Sequence, residues 1–236
     1  LVLFKNIFMT EDSELDFINH VLDLSSIKEL RFDNGVYFLN QDLNLKNNYF
    51  FPKNKKLVIK EGVNLIFSKD VILSSEGSIL FEGTEENPIR VYGENGKGSI
   101  ILQNNTFKFN NVEFSNLSYP KDSNKTLYGG INIINSKVHI KNTLIKNSNS
   151  EDAINIISSD SSIDKLTLDN IKADAVDIDF GEIEFNKIQC NNIFNDCLDV
   201  SGANIKGKFL KASNVSDKGI SFGEQSNGLI EKTELD

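Results

Sequence analysis

The sequence predicts an all-β chain wound as a right-handed parallel β-helix, on three observations. A pattern returns every 22 residues, each return alternates apolar and polar positions, and asparagines recur at one fixed place in it. The first residues of "DAINI", "DAVDIDF", "DCLDV" and "KGISF" are Asp152, Asp174, Asp196 and Lys218, spaced evenly by 22. Ile154, Val176, Leu198 and Ile220 form one apolar column; Ile156, Ile178, Val200 and Phe222 form another. Between them stand Asn155, Asp177, Asp199 and Ser221. Ala153, Ala175, Cys197 and Gly219 give a column of small residues. Leu144, Leu166, Ile188 and Leu210 align at the same step, as do Ile163, Phe185, Gly207 and Leu229.

Self-similarity at a fixed short period marks a solenoid, and period-two alternation makes its units strands. Stacked parallel strands lie about 4.8 Å apart, so each column becomes a ladder along the axis. Apolar ladders fill the interior. Asn170, Asn192 and Asn214 suit a turn, where side-chain amides bond to their counterparts one coil away. Right-handedness follows from the preference of parallel crossovers. The 236 residues leave room for roughly ten coils at this step.

The opening reads differently. "TEDSELDFINHVLDLS" begins with Ser13 and acids suited to a helix start and puts Leu15, Ile18, Val21 and Leu22 on one face. A short helix over residues 12–23 is expected, within a cap segment 1–26 that shields an otherwise open strand edge. Residues 27–236 are then a single β-helix domain, with clean coils from about residue 130. "VYFL", "LNL", "KLVIK", "VNLIF" and "SIL" read as early strands, and "SNLSYPKDSNKTL" (115–127) as a loop budding from one face. The chain opens "LVLFKNIF" without a methionine, and the repeat still runs at "NGLIEKTELD"; a longer polypeptide is expected around it.

A hydrophobic content of 39% with 17 phenylalanines supports a narrow apolar core. Tryptophan is absent and tyrosines number five, few for a surface that stacks sugar rings. The net charge of −9 argues against nucleic acid, whose binding rests on phosphate neutralisation, and against an uncompensated acidic polysaccharide. No apolar run reaches the ~20 residues of a membrane span. Cys190 and Cys197 are the two cysteines; both read first as structural thiols, with a disulfide as the alternative that a core this large does not need.

Three carboxylates crowd "DAVDIDF". In a parallel β-helix Asp177 and Asp199 project outward side by side, while Asp152, Asp174 and Asp196 ladder at the strand entrance, closed by Lys218. Two such carboxylates repel by roughly 1 kcal/mol in water and roughly 3–4 kcal/mol at a surface-like dielectric, which asks for something to offset it. The plain reading is a turn pattern, with aspartates accepting from backbone amides. The sharper one is a Ca²⁺ site made by Asp174, Asp177, Asp196 and Asp199, since calcium takes six to eight oxygens. His20 and His139 read as surface residues, and no Ser–His–Asp set, zinc spacing or dinucleotide loop is present.

Two resemblances follow from these motifs. The coil pattern looks like that of carbohydrate-binding and sugar-hydrolase β-helix proteins. "KLVIKEGVNLIFSKDVILSSEGSILFEGTEENPI" (56–89), "YGGINI", "EDAINI", "DAVDIDF", "DCLDVSG" and "DKGISFGE" resemble the β-helix region of CotH-type, spore-coat-kinase-like surface proteins. That resemblance implies an extracytoplasmic setting but no kinase activity, because no kinase motif is present. The acid ladder is also similar to that of calcium-dependent β-helix polysaccharide lyases. This similarity implies a lysine or arginine base, for which Lys218 stands first and Lys172 second. The expected function is a non-catalytic, structural or adhesin-like surface module that binds glycan or calcium. The alternative is a calcium-dependent lyase acting on acidic glycans. The "NTD", "DD", "GHG" and "RIK" elements of polygalacturonase-like hydrolases and the epimerase "DPHE" are absent.

Overall fold

The computed structural model describes residues 21–120 and 127–236. Within them the chain is a parallel β-helix with three strands per coil, and nine strands stack in each of three parallel sheets. The first sheet starts at Val21–Asp23 and ends at Ser221–Phe222. Its strands pair in the register the columns require: Ile154 with Val176, Asn155 with Asp177, then Val176 with Leu198 and Asp177 with Asp199. The second and third sheets follow it around each coil. In the seventh coil one long run, Asp174–Ile193, bends through all three.

Interior columns account for the stability. Ile131, Ile154, Val176 and Leu198 are fully buried, as are Ile133, Ile156, Ile178 and Val200. Early coils fill the same space with rings; Phe81 lies 5.3 Å from Phe109, which lies 5.1 Å from Phe114. Where Phe185 points inward, the next coil carries Gly207, whose added Cβ would stand 2.0 Å from the ring. The large residue therefore requires the small one beneath it.

Turns are asparagine-rich for a backbone reason. Asn147, Asn170, Asn192 and Asn214 all have φ near +55°, a left-handed conformation that asparagine tolerates better than other side chains. Their amides link the coils: Asn170 Nδ2 donates to Asn147 Oδ1 at 2.8 Å, and Asn214 Nδ2 to Asn192 Oδ1 at 3.3 Å. The ladder is interrupted at Asn192, whose amide turns to Asp169 Oδ1 at 3.0 Å.

Four sequence expectations change. Most of the cap helix lies outside the described residues, but Val21–Asp23 is a strand paired with Asn48–Phe50, so the solenoid has already begun there. Leu144 does not share a column with Leu166; Thr143 does, because the turn at 147–151 is one residue longer than its successor at 170–173. In the last coil the turn at 223–226 also gains a residue. Ile230, not Leu229, then pairs with Gly207, and Leu229 faces solvent. Lastly, Cys190 and Cys197 are joined in a disulfide. Both sit in inward columns at either side of one turn, with Cα atoms 5.8 Å apart, so the coil itself brings them together.

A cross-link over so short a loop removes denatured-state entropy worth about 2–3 kcal/mol. Urea unfolding with and without reductant should differ by that amount. A midpoint indifferent to reductant would mean the two sulfurs are not bonded.

The expected loop is visible as a step in coil length. Ile100 pairs with Ile131, 31 residues on, against 22 or 23 from that coil forward. Residues 121–126 of the insertion lie outside the described part. Leu127, at its end, packs on the outer face of the first sheet with Ile72, Ile101 and Ile134. No helix among the described residues is long and apolar enough to cross a membrane.

Candidate functional site

The polar column of the first sheet faces away from the coil interior, as expected, but not into open water. Asn132 is 0% exposed and Asn155 3%, because the outer face here is covered. Covering changes the chemistry of the aspartates that continue the column. Asn155 Nδ2 donates to Asp152 Oδ2 and to Asp177 Oδ2, each at 2.8 Å, so one amide bridges two carboxylates. Burial, with Asp174, Glu151 and Asp179 nearby, pushes Asp152 up to about 7 even though the Asn155 bond opposes the shift. Burial raises Asp177 further, to about 8, helped by Asp152, Asp179, Asp199 and Asp174. Asp174 and Asp179 are also raised, burial again being the larger cause.

At the strand entrance the aspartates tie one coil to the next. Asp174 Oδ1 accepts from the Asp196 amide at 2.8 Å and from Asn195 Nδ2 at 2.7 Å. Asp196 Oδ1 accepts from the Lys218 amide at 2.8 Å. These are turn bonds of the kind the plain reading expects, except that the donor amide belongs to the following coil. Each of these bonds engages one oxygen of its carboxylate. As the side chains stand, no three His, Cys, Asp or Glu residues among those described converge to hold a metal.

Lys218 has the opposite environment from the one a base needs. Its ammonium hydrogen-bonds Asp217 and lies 3.5 Å from Asp196 Oδ2. The Asp217 bond leads the causes that raise its pKa, whereas a general base works when its pKa is lowered towards ambient pH. Lys172, the second candidate, is exposed, its backbone amide donating to Ser148 O.

A second face was not legible in the sequence. The outer side of the second sheet forms an open groove of about 630 Å³ across successive coils. Lys108, His139, Ser162, Glu184 and Lys206 stack in register along it, all exposed. Beside them run Asn110, Lys141, Asp164, Asn186 and Lys208. His139 Nδ1 bonds Ser162 Oγ at 2.7 Å, and Asn186 Nδ2 donates to Asp164 Oδ1 at 2.9 Å. His139 is thus a surface residue, as expected, but one at the centre of a groove. The chain's net charge of −9 hid this, because four lysines gather on this face beside Asp164, Glu184 and Glu231.

No family model matches the chain, and no curated protein matches it. The resemblance to CotH-type proteins therefore rests on sequence motifs alone. Among solved structures, a crystal structure of a periplasmic alginate epimerase is similar at 10% identity with a TM-score of 0.27, over 98% of this chain and 90% of that one. A TM-score that low carries no argument, and the fold rests on the strand ladders themselves.

Proposed function

We propose that this protein is an extracytoplasmic β-helix module that holds a linear polysaccharide along the groove of its second sheet without cleaving it. The supporting observation is the groove's construction. Polar and charged side chains succeed one another at the coil spacing of about 4.8 Å, which offers a hydrogen-bonding or charged group to each successive unit of a polymer. Buried Ile140, Ile163 and Phe185 lie beneath it, but the exposed side chains are polar, so orientation comes from hydrogen bonds and charge, with little ring stacking. The Cys190–Cys197 disulfide suits an oxidising compartment, in keeping with the surface setting implied by the sequence resemblance. The lyase alternative is weakened by the paired, charge-stabilised state of Lys218.

Calorimetric titration against linear glycans, neutral and acidic, tests this reading. The Lys206→Ala/Lys208→Ala double variant should bind on the order of tenfold more weakly. Its unfolding free energy should change by no more than about 0.5 kcal/mol, as is usual for surface changes. Unchanged binding in that variant, or no glycan bound at all, would remove the groove from the function. Shortened chains or a near-ultraviolet-absorbing unsaturated product would replace a binding module with an enzyme.

A further inference from the structure

We propose that the acid face of the first sheet is a separate site, built to bind a protonated amine. Asp152, Asp174, Asp177, Asp179 and Asp199 are electrostatic neighbours on adjacent coils, and none has an ion-pair partner among the described residues. At one end of their ladder, on the coil before Asp177, sits Asn155, whose Nδ2 bridges two carboxylates while its buried Oδ1 has no hydrogen-bond partner. A buried amide oxygen left unpaired costs free energy, so a native structure that keeps one calls for a donor. The carboxylates around it lack countercharge as well. An ammonium set among them would supply donors and countercharge together, and would draw the protons held by Asp152 and Asp177.

An ammonium fits better than a metal ion. Its three N–H groups reach acceptors at ordinary hydrogen-bond distance and tolerate an irregular cage. A metal needs ligands converging more closely than these side chains do. Exposed rings stand beyond the two ends of this strand. Tyr128, whose carbonyl accepts from the Asp152 amide, is 45% exposed, and Phe180, directly after Asp179, is 56% exposed. Phe180 is held at φ +60°, a strained conformation for a bulky residue, with its ring over Gly202. A polyamine and an amino sugar present the same ammonium chemistry, and the test separates them.

Titration calorimetry of the intact chain near pH 7.5 with spermidine, with a deacetylated glucosamine tetramer and with calcium chloride supplies the three arms. One of the two amines should bind, and the one that does identifies the source. Binding should release protons, read as an enthalpy that changes with the buffer's ionisation heat. Asp177→Asn should weaken the amine at least tenfold and reduce the proton release. Lys206→Ala/Lys208→Ala should leave it unchanged, which keeps this site's test apart from that of the glycan groove. Calcium binding without either amine would overturn the proposal, as would failure of all three ligands or equal amine affinity in Asp177→Asn.

Discussion

Val176→Asp should abolish stable folding or lower the unfolding free energy by more than about 4 kcal/mol. Val176 is fully buried, paired with Ile154 on one side and Leu198 on the other. A carboxylate there would enter a column whose neighbours two residues on, Ile156, Ile178 and Val200, are equally apolar and buried. It would have no partner and would have to stay neutral or open the coil. A solenoid cannot route around such a defect, because each coil is stabilised chiefly by its two neighbours. Ser221→Ala, on the outer face of the same sheet, should shift stability by no more than about 0.5 kcal/mol. Thermal midpoints of the two variants read the inside–outside assignment directly; similar small shifts for both would reverse it.

Stability should fall as pH rises from about 4 to about 8, and Asp177→Asn should flatten much of that fall. The sign comes from proton binding. Asp152 and Asp177 titrate near 7 and 8 in the folded chain, against 3.8 for the ordinary side chain. Across that window the folded state keeps protons that the unfolded state has lost, so a rise in pH favours unfolding. Below the unfolded value both states are protonated and the full stability is present; above the folded value both have lost the proton and the loss is complete. A tenfold difference in proton affinity is worth about 1.4 kcal/mol, so Asp152 alone corresponds to roughly 4 kcal/mol, and the coupled pair does not sum. Asp177→Asn removes the more strongly perturbed group, and the amide is neutral throughout. That variant should therefore melt higher than the parent at pH 8.5 and nearly level with it at pH 5. A parent chain whose melting temperature is flat over this window would show the acid face to be open to water.

Sequence and structure divide along a physical line. Between Asp152 and Val200 the turns have nearly constant length, so contacts across coils appear as a fixed offset in the chain. The inward columns, the stacked aspartates and the asparagine turns could all be read from it. Earlier coils differ in turn length. Tyr49 pairs with Leu73 after 24 residues, Leu73 with Ile100 after 27 and Ile100 with Ile131 after 31, so no single period runs through them. Their strands could be recognised one by one, but their register could not. The same irregularity kept Lys108 and His139 from being seen in line with Ser162, Glu184 and Lys206, and it concealed the groove.

Alternation determined which side chains point out of the coil; it could not say what lies over them. Asn155 was assigned to the outer face correctly, yet it is buried, as is Asn132 on the coil before it. The protonation of Asp152 and Asp177 depends on that burial and on carboxylates from adjacent coils. Likewise, Cys197 was placed in a column of small residues by the repeat, but its meeting with Cys190 depended on the path of one turn. A repeating sequence specifies its own ladder, because each coil's neighbour is a near copy of itself. Burial, proton affinity and cross-links depend on atoms from elsewhere in the chain, and those only the tertiary structure brings into place.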